Sequence, residues 1–213
     1  MIRAVIFDCD GVLVDSERLT NRVIHDNLAQ RGLDWPVERI MSSFVGGTVA
    51  GVGEVARASG ARIESGWLDT IYAEIYAVLE QEVTPIPGAV DVLDWLDARA
   101  IPYAIGSNGP ERKMQITLAR CGLADRLQGR VLSAVALGAP KPAPDVYLAA
   151  ADLLGVAPEH AVVVEDSATG ARAAQAAGMA CYGFAPDDDG AGLSAVGAMP
   201  FHAMRDLQHL LPI

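Results

Sequence analysis

The stretch that decides the fold is Ala4-Val5-Ile6-Phe7-Asp8-Cys9-Asp10-Gly11-Val12-Leu13-Val14-Asp15. Its first four residues are apolar and predict a buried β-strand. Side chains two positions apart on an extended chain point to the same side, so Asp8 and Asp10 should leave the strand end close together. Gly11 then lets the chain turn away. Carboxylates this close repel each other, which indicates a cation between them or a proton on one of them. The alternative is an Asp- and Gly-rich turn that only ends the strand.

Length and composition limit the classes of protein to which this chain can belong. The 213 residues fit one large domain or a domain with an insertion, and 51% of them are hydrophobic, enough for a substantial core. No apolar run approaches the roughly 18 residues that a membrane span needs, and the signal-peptide pattern is absent. Three cysteines, an odd number, argue against a disulfide framework. The net charge of -11, with no basic tract, excludes nucleic acid and membrane partners from our expectations. We expect a cytoplasmic protein, monomeric or weakly homo-oligomeric.

The pattern along the chain changes near residue 83. Residues 16–82 read as helical and contain no strand run. Afterwards helices alternate with four predicted strands, at Tyr103–Gly106, Val131–Ser133, Ala161–Val164 and Cys181–Phe184. Such alternation is typical of a parallel sheet that helices cover on both faces, and the first strand must join that sheet. The predicted fold class is α/β: a Rossmann-like parallel sheet core formed by residues 1–15 and 83–213, with an inserted α-helical domain at residues 16–82.

Polar clusters accompany four of the predicted strands: Asp8 and Asp10, Ser107-Asn108-Gly109-Pro110, Lys141-Pro142, and Glu165-Asp166-Ser167. Each cluster alone has an ordinary explanation, respectively a turn, a turn before a helix, an exposed loop lysine and a helix cap. Ligands bind outside the carboxyl ends of the strands in an open parallel sheet, where all four clusters would meet. Their joint order therefore predicts one shared site.

These residue types suit the hydrolysis of a phosphate ester. Asp8, Glu165 and Asp166 offer the hard oxygen ligands that Mg²⁺ prefers, and Mg²⁺ would offset the charge of the ester. One carboxylate can attack phosphorus, and another carboxyl group can serve as acid and then as base. The Ser107–Asn108 loop and the Lys141 ammonium group could hold the phosphoryl oxygens.

The order of the clusters resembles the four-motif signature of the haloacid dehalogenase-like superfamily, in its branch of β-phosphoglucomutase-like and 6-phosphogluconate phosphatase-like enzymes. The resemblance covers essentially the whole chain, and it implies that the inserted domain at residues 16–82 is an α-helical cap domain. It implies a nucleophile at Asp8 and a general acid/base at Asp10. It also implies phosphate-binding residues at Ser107, Asn108 and Lys141, and a Mg²⁺ site made by Asp8, the Asp10 backbone carbonyl, Glu165 and Asp166.

The function that this resemblance implies is a Mg²⁺-dependent phosphatase of small phosphorylated metabolites, namely sugar or sugar-acid phosphates. The substrate lead is 6-phosphogluconate, because Gly106–Pro110 with Lys113-Met114-Gln115 is similar to phosphatases of that compound. One alternative is a phosphosugar mutase of the β-phosphoglucomutase type. That enzyme has a His, an Arg and a Lys in its cap, which would fall near Thr20, near Val49 and at residues 70–76 respectively, and this sequence has none of the three residue types at the matching place. A second alternative is a non-catalytic phosphoacceptor or binding module, which the presence of Asp10 disfavours.

The predicted cap offers one candidate contact with substrate. Its Gly-rich patch contains Gly46, Gly47 and Thr48, and backbone N–H groups unshielded by side chains could approach a sugar phosphate there. An ordinary turn between helices is the alternative.

Overall fold

The computed structural model describes residues 1–44 and 48–211. Six parallel strands form one sheet. In chain order these strands are β1 (Ala4–Phe7), β2 (Tyr103–Ser107), β3 (Val131–Ser133), β4 (Ala161–Glu165), β5 (Ala180–Phe184) and β6 (Met199–Phe201). Their order across the sheet is β3-β2-β1-β4-β5-β6. The predicted α/β class is therefore confirmed. The strand β6 was not predicted from the sequence. It is a three-residue edge strand with Pro200 at its centre, where a missing N–H is tolerated.

Ten α-helices accompany the sheet within the described part of the chain. They are α1 (Glu17–Gln30), α2 (Val37–Phe44), α3 (Val49–Ala58), α4 (Trp67–Glu82), α5 (Ala89–Asp97), α6 (Glu111–Arg120), α7 (Asp145–Leu153), α8 (Ala168–Ala176), α9 (Ala191–Ser194) and α10 (Leu207–Leu210). Over the residues that the structure describes, no helix combines the length and apolar character that crossing a membrane requires.

The two central strands place the candidate site. Every residue of β1 and β4 is buried, as expected for strands with helices on both faces. The register pairs Phe7 with Val164 at their carboxyl ends. One more hydrogen bond, from Asp8 N to Val164 O at 2.9 Å, continues the ladder beyond β1. The residues that follow β1 and β4 therefore emerge side by side.

The chain divides into two compact units, one of residues 1–15 with 84–213 and one of residues 16–83. In the second unit α1 packs against α4. Buried apolar residues of the two helices include Ile24 and Leu28 of α1 and Ile71, Ile75 and Leu79 of α4. Trp67 Nε1 donates to Asn27 Oδ1 at 2.8 Å, which pairs two polar groups that burial would otherwise leave unsatisfied. That residues 16–82 act as a cap remains a prediction.

Candidate active site

The chain turns tightly after β1. Gly11 N donates to Val14 O at 2.9 Å, and Gly11 has a φ of 76°, in the region that favours glycine. A Cβ atom at Gly11 would lie 1.9 Å from Asp166 Oδ2. The Asp166 carboxylate thus lies directly against the loop that carries Asp8 and Asp10. The positive φ favours glycine at this position, and any other side chain here would also displace the Asp166 carboxylate.

A buried ion cluster surrounds Asp8. Lys141 Nζ lies 2.5 Å from Asp8 Oδ1 and 2.6 Å from Glu165 Oε1, and its side chain is 3% exposed. Tyr147 OH donates to the same Glu165 oxygen at 2.9 Å, and the Lys141 ammonium lies 4.7 Å from the centre of the Tyr147 ring. The predicted Lys141 therefore reaches the predicted nucleophile, and Tyr147 is a partner that the sequence analysis missed.

The remaining oxygen of Glu165 is also occupied by donors. Ser167 donates to Oε2 from its backbone N at 2.9 Å and from its Oγ at 2.8 Å. The same Oγ accepts from Gly170 N at 3.0 Å, so Ser167 also caps α8. Glu165 thus accepts from four donors in all, counting those of Lys141 and Tyr147. No group of three His, Cys, Asp or Glu side chains is arranged to hold a metal among the described residues.

The loop after β2 is built by hydrogen bonds within the site. Ser107 Oγ accepts from Gly109 N at 3.0 Å, and Ser133 Oγ donates to Gly109 O at 2.8 Å. Asn108 Oδ1 accepts from Lys141 N at 2.8 Å and so connects this loop to the one that carries Lys141. The structure places Ser107, Asn108 and Lys141 at one edge of the sheet, with Asn108 supporting the lysine loop.

A second lysine lies against Asp10. Lys113 Nζ on α6 lies 2.8 Å from Asp10 Oδ1, and the two side chains are 13% and 17% exposed. Lys113 was not among the site residues predicted from the sequence. A usable signal was present, because the chain contains two lysines in all, Lys113 and Lys141.

The electrostatics of the buried cluster follow from one ammonium group between two carboxylates. Burial, with the nearby Glu165 and Asp10 carboxylates, raises the pKa of Asp8 to about 7, although Lys141 opposes the change. Burial alone would raise the pKa of Glu165, but Lys141 and the Ser167 donors lower it below its usual value. Burial would lower the pKa of Lys141, yet Asp8 and Glu165 raise it overall. Asp8 is therefore the carboxyl of the cluster that most readily takes a proton.

Of the three residues predicted to contact substrate from the cap, the structure describes Thr48. Thr48 is the N-cap of α3, and its Oγ1 accepts from Gly51 N at 3.2 Å. Gly46 and Gly47 lie outside the described residues. Contact of these three residues with substrate stays a prediction.

Two relatives of known name align with most of this chain. A 6-phosphogluconate phosphatase from Escherichia coli is 29% identical over 188 residues, covering 87% of this chain and 84% of that protein. The protein SUPPRESSOR OF QUENCHING 1, chloroplastic, from Arabidopsis thaliana is 34% identical over 187 residues, covering 84% of this chain but 17% of that protein.

A solved structure and a family model agree with these relatives. The crystal structure of a hydrolase of the haloacid dehalogenase (HAD) family from Deinococcus radiodurans, with bound phosphate and sodium, is 34% identical. It covers 99% of this chain and 98% of its own, with a TM-score of 0.83. The model of haloacid dehalogenase-like hydrolases matches residues 2–178. This chain belongs to the haloacid dehalogenase-like hydrolase family.

Proposed function

We propose that this chain is a Mg²⁺-dependent phosphatase of small phosphorylated metabolites that works through an aspartyl-phosphate at Asp8. It is a phosphoric monoester hydrolase, as its family and its similarity to a protein named as a phosphatase indicate. The observation that carries the proposal is the placement of Lys141 between Asp8 and Glu165, beside an Asp10 paired with Lys113.

The first half of the proposed reaction uses Asp8 and Asp10. A carboxylate oxygen of Asp8 forms a bond to phosphorus while the bond from phosphorus to the ester oxygen breaks. The electron pair of the broken bond stays on the ester oxygen, which takes a proton from the Asp10 carboxyl group. The Lys141 ammonium fixes Asp8, and its positive charge favours the negative charge that gathers on the phosphoryl oxygens.

The second half regenerates the enzyme. Asp10, now a carboxylate, takes a proton from a water molecule whose oxygen attacks phosphorus. The bond between phosphorus and the Asp8 oxygen breaks, which releases inorganic phosphate and restores the Asp8 carboxylate. One residue thus serves both steps with a balanced transfer of protons.

The donor set fits Mg²⁺. The Asp8 and Asp166 carboxylates with the Asp10 backbone carbonyl are hard oxygen ligands, and Asp166 lies against the loop that carries the other two. We assign Glu165 to hold Lys141, because its oxygens already accept from four donors. This metal set is narrower than the one expected from the sequence. When bound, Mg²⁺ supplies positive charge that offsets the charge of the phosphoryl group.

The substrate class that we propose is sugar or sugar-acid phosphates. Its support is the similarity to a 6-phosphogluconate phosphatase. We also propose that residues 16–82, with Gly46, Gly47 and Thr48, act as the cap that contacts the substrate.

Phosphate release from a panel of phosphorylated metabolites, with Mg²⁺ and with a chelator, tests the proposal. The panel includes 6-phosphogluconate and β-glucose 1-phosphate. We expect Mg²⁺-dependent turnover that D8N abolishes, and a phosphoryl group on Asp8 in acid-quenched wild type. D125N changes an exposed aspartate outside the site and is the matched control. Full activity of D8N, or release that a chelator leaves unchanged, would overturn the proposal.

A further inference from the structure

Both lysines of this chain lie in the candidate site. The sequence contains 16 lysine and arginine residues, and the two lysines among them are Lys113 and Lys141. Lys141 pairs with Asp8, and Lys113 pairs with Asp10. The proposed reaction gives Lys141 a role with the phosphoryl group but leaves Lys113 unexplained.

The Asp10 carboxyl group has a neighbour beside each of its two oxygens. Lys113 Nζ lies 2.8 Å from Oδ1. On the other side, a Cβ atom at Gly109 would lie 3.2 Å from Asp10 Oδ2 and 3.3 Å from Ser107 Oγ. The missing side chain at Gly109 therefore lets the loop after β2 lie against Oδ2 while Lys113 holds Oδ1.

Lys113 is itself held by a well-packed helix. It belongs to the first turn of α6, and the helix is anchored next to it by Met114, which is 1% exposed. One turn further on, Thr117 is fully buried. A lysine on such a helix presents its ammonium from a fixed base, so its hydrogen bond can set the orientation of a partner.

We propose that Lys113 is a positioning residue that holds the Asp10 carboxyl group in line with the leaving-group oxygen. This inference rests on the proposed function, in which Asp10 gives its proton to that oxygen. Asp10 follows a strand end, and its side chain would otherwise sample several rotamers. Misplacement of a reacting group by about 1 Å can cost roughly 100-fold in rate.

The chemistry of the leaving group provides the test. An alkyl phosphate releases a strongly basic alkoxide, which needs the proton from Asp10 as the ester bond breaks. 4-Nitrophenyl phosphate releases a stable phenolate, which leaves without that proton. The value of kcat/KM reports only the steps up to release of the leaving group, so later hydrolysis of the aspartyl-phosphate does not enter.

The experiment compares K113M and K113R with wild type in the full chain with Mg²⁺. The substrates are the alkyl ester hydrolysed fastest in the metabolite panel and 4-nitrophenyl phosphate. For K113M we expect kcat/KM to fall about 10- to 100-fold on the alkyl ester and less than about threefold on the aryl ester. K113R should recover part of the loss on the alkyl ester. R112M removes an exposed positive charge from the neighbouring position and is the control.

Equal losses on the two esters, or no loss, would overturn the inference. Should K113M fail to fold, K113Q replaces it, and the ratio of the two kcat/KM values decides in the same way. D8N, measured in parallel, distinguishes failure of the proposed function from failure of the role of Lys113. An active D8N refutes the proposed function, whereas an inactive D8N with equal losses in K113M refutes the role of Lys113 alone.

Discussion

The pairs Lys141–Asp8 and Lys113–Asp10 join the same residue types at similar distances, 2.5 and 2.8 Å, in different surroundings. The Lys141 side chain is 3% exposed, and its ammonium also contacts Glu165 and the face of Tyr147. Lys113 and Asp10 keep 13% and 17% of their side-chain surface in solvent. Removing one partner of a buried ion pair leaves an uncompensated buried charge and strongly destabilises the protein. Removing one partner of a pair that solvent reaches costs less stability. The first arrangement suits a group that stays fixed, and the second suits a carboxyl that exchanges protons.

The largest expected difference between the pairs is in stability. K141M leaves the Asp8 and Glu165 carboxylates buried without their shared cation, and we expect it to lower the free energy of unfolding by about 3–5 kcal/mol. K113M should lower it by about 1 kcal/mol or less, because solvent reaches its partner. Urea denaturation of both variants measures these values. Equal losses would show that the two pairs do not differ as their burial suggests.

The next effect concerns pH and the Asp8 carboxyl group. With its pKa raised to about 7 in the folded protein, Asp8 keeps a proton that the unfolded chain loses near pH 4. The folded state therefore binds more protons in this window, and the contribution of Asp8 to stability is lost as pH rises through about 7. The slope is at most about 1.4 kcal/mol per pH unit.

Denaturation of metal-free protein at pH 5.5 and pH 8 measures this contribution. Wild type should lose more stability between the two values than D8N does. K113M leaves the buried cluster intact and should behave like wild type. The same pH dependence in D8N and wild type would contradict the assignment of the proton to Asp8.

The smallest expected effect comes from changing Tyr147, an uncharged residue that donates a hydrogen bond to Glu165 in the buried cluster. Y147F removes the hydrogen bond to Glu165 but keeps the ring beside Lys141, so we expect a loss of about 1 kcal/mol in stability. Turnover should fall by up to about tenfold, because Lys141 loses part of its support. Y182F removes a tyrosine hydroxyl that donates to Leu210 O at 3.0 Å and is the matched control. If Y182F lowered turnover as much as Y147F, the effect would not come from the buried cluster.

The positions of many candidate site residues could be predicted from the sequence, because the ends of the strands can be recognised in it. Asp8 and Asp10 follow a run of four apolar residues, and parallel strands deliver their carboxyl ends to one edge of the sheet. The directions of side chains were harder to predict. Glu165 and Asp166 are adjacent, and neighbouring residues on an extended chain point to opposite sides. Glu165, the last residue of β4, turns to Lys141, whereas Asp166 lies against Gly11.

The missed features depend on tertiary contacts that no local pattern encodes. Lys113 lies in the first turn of α6, where its spacing resembles that of any exposed helical lysine. Its approach to Asp10 depends on where the tertiary fold places α6. Tyr147 reads from sequence as a core residue of α7, and its hydroxyl finds Glu165 only once α7 and β4 have packed. Pro200 hides β6, because proline is uncommon within strands.

The scarcity of lysine has a practical consequence for chemical footprinting. Apart from the α-amino group, the primary amines of this protein are the Lys113 and Lys141 side chains. An acylating reagent selective for amines would ignore the arginines and report on the ion pairs of Asp8 and Asp10. Lys113, with more of its side chain in solvent, should be modified before Lys141. The extent of acylation at each lysine, resolved by peptide mass spectrometry, would follow the opening of each pair with no introduced probe.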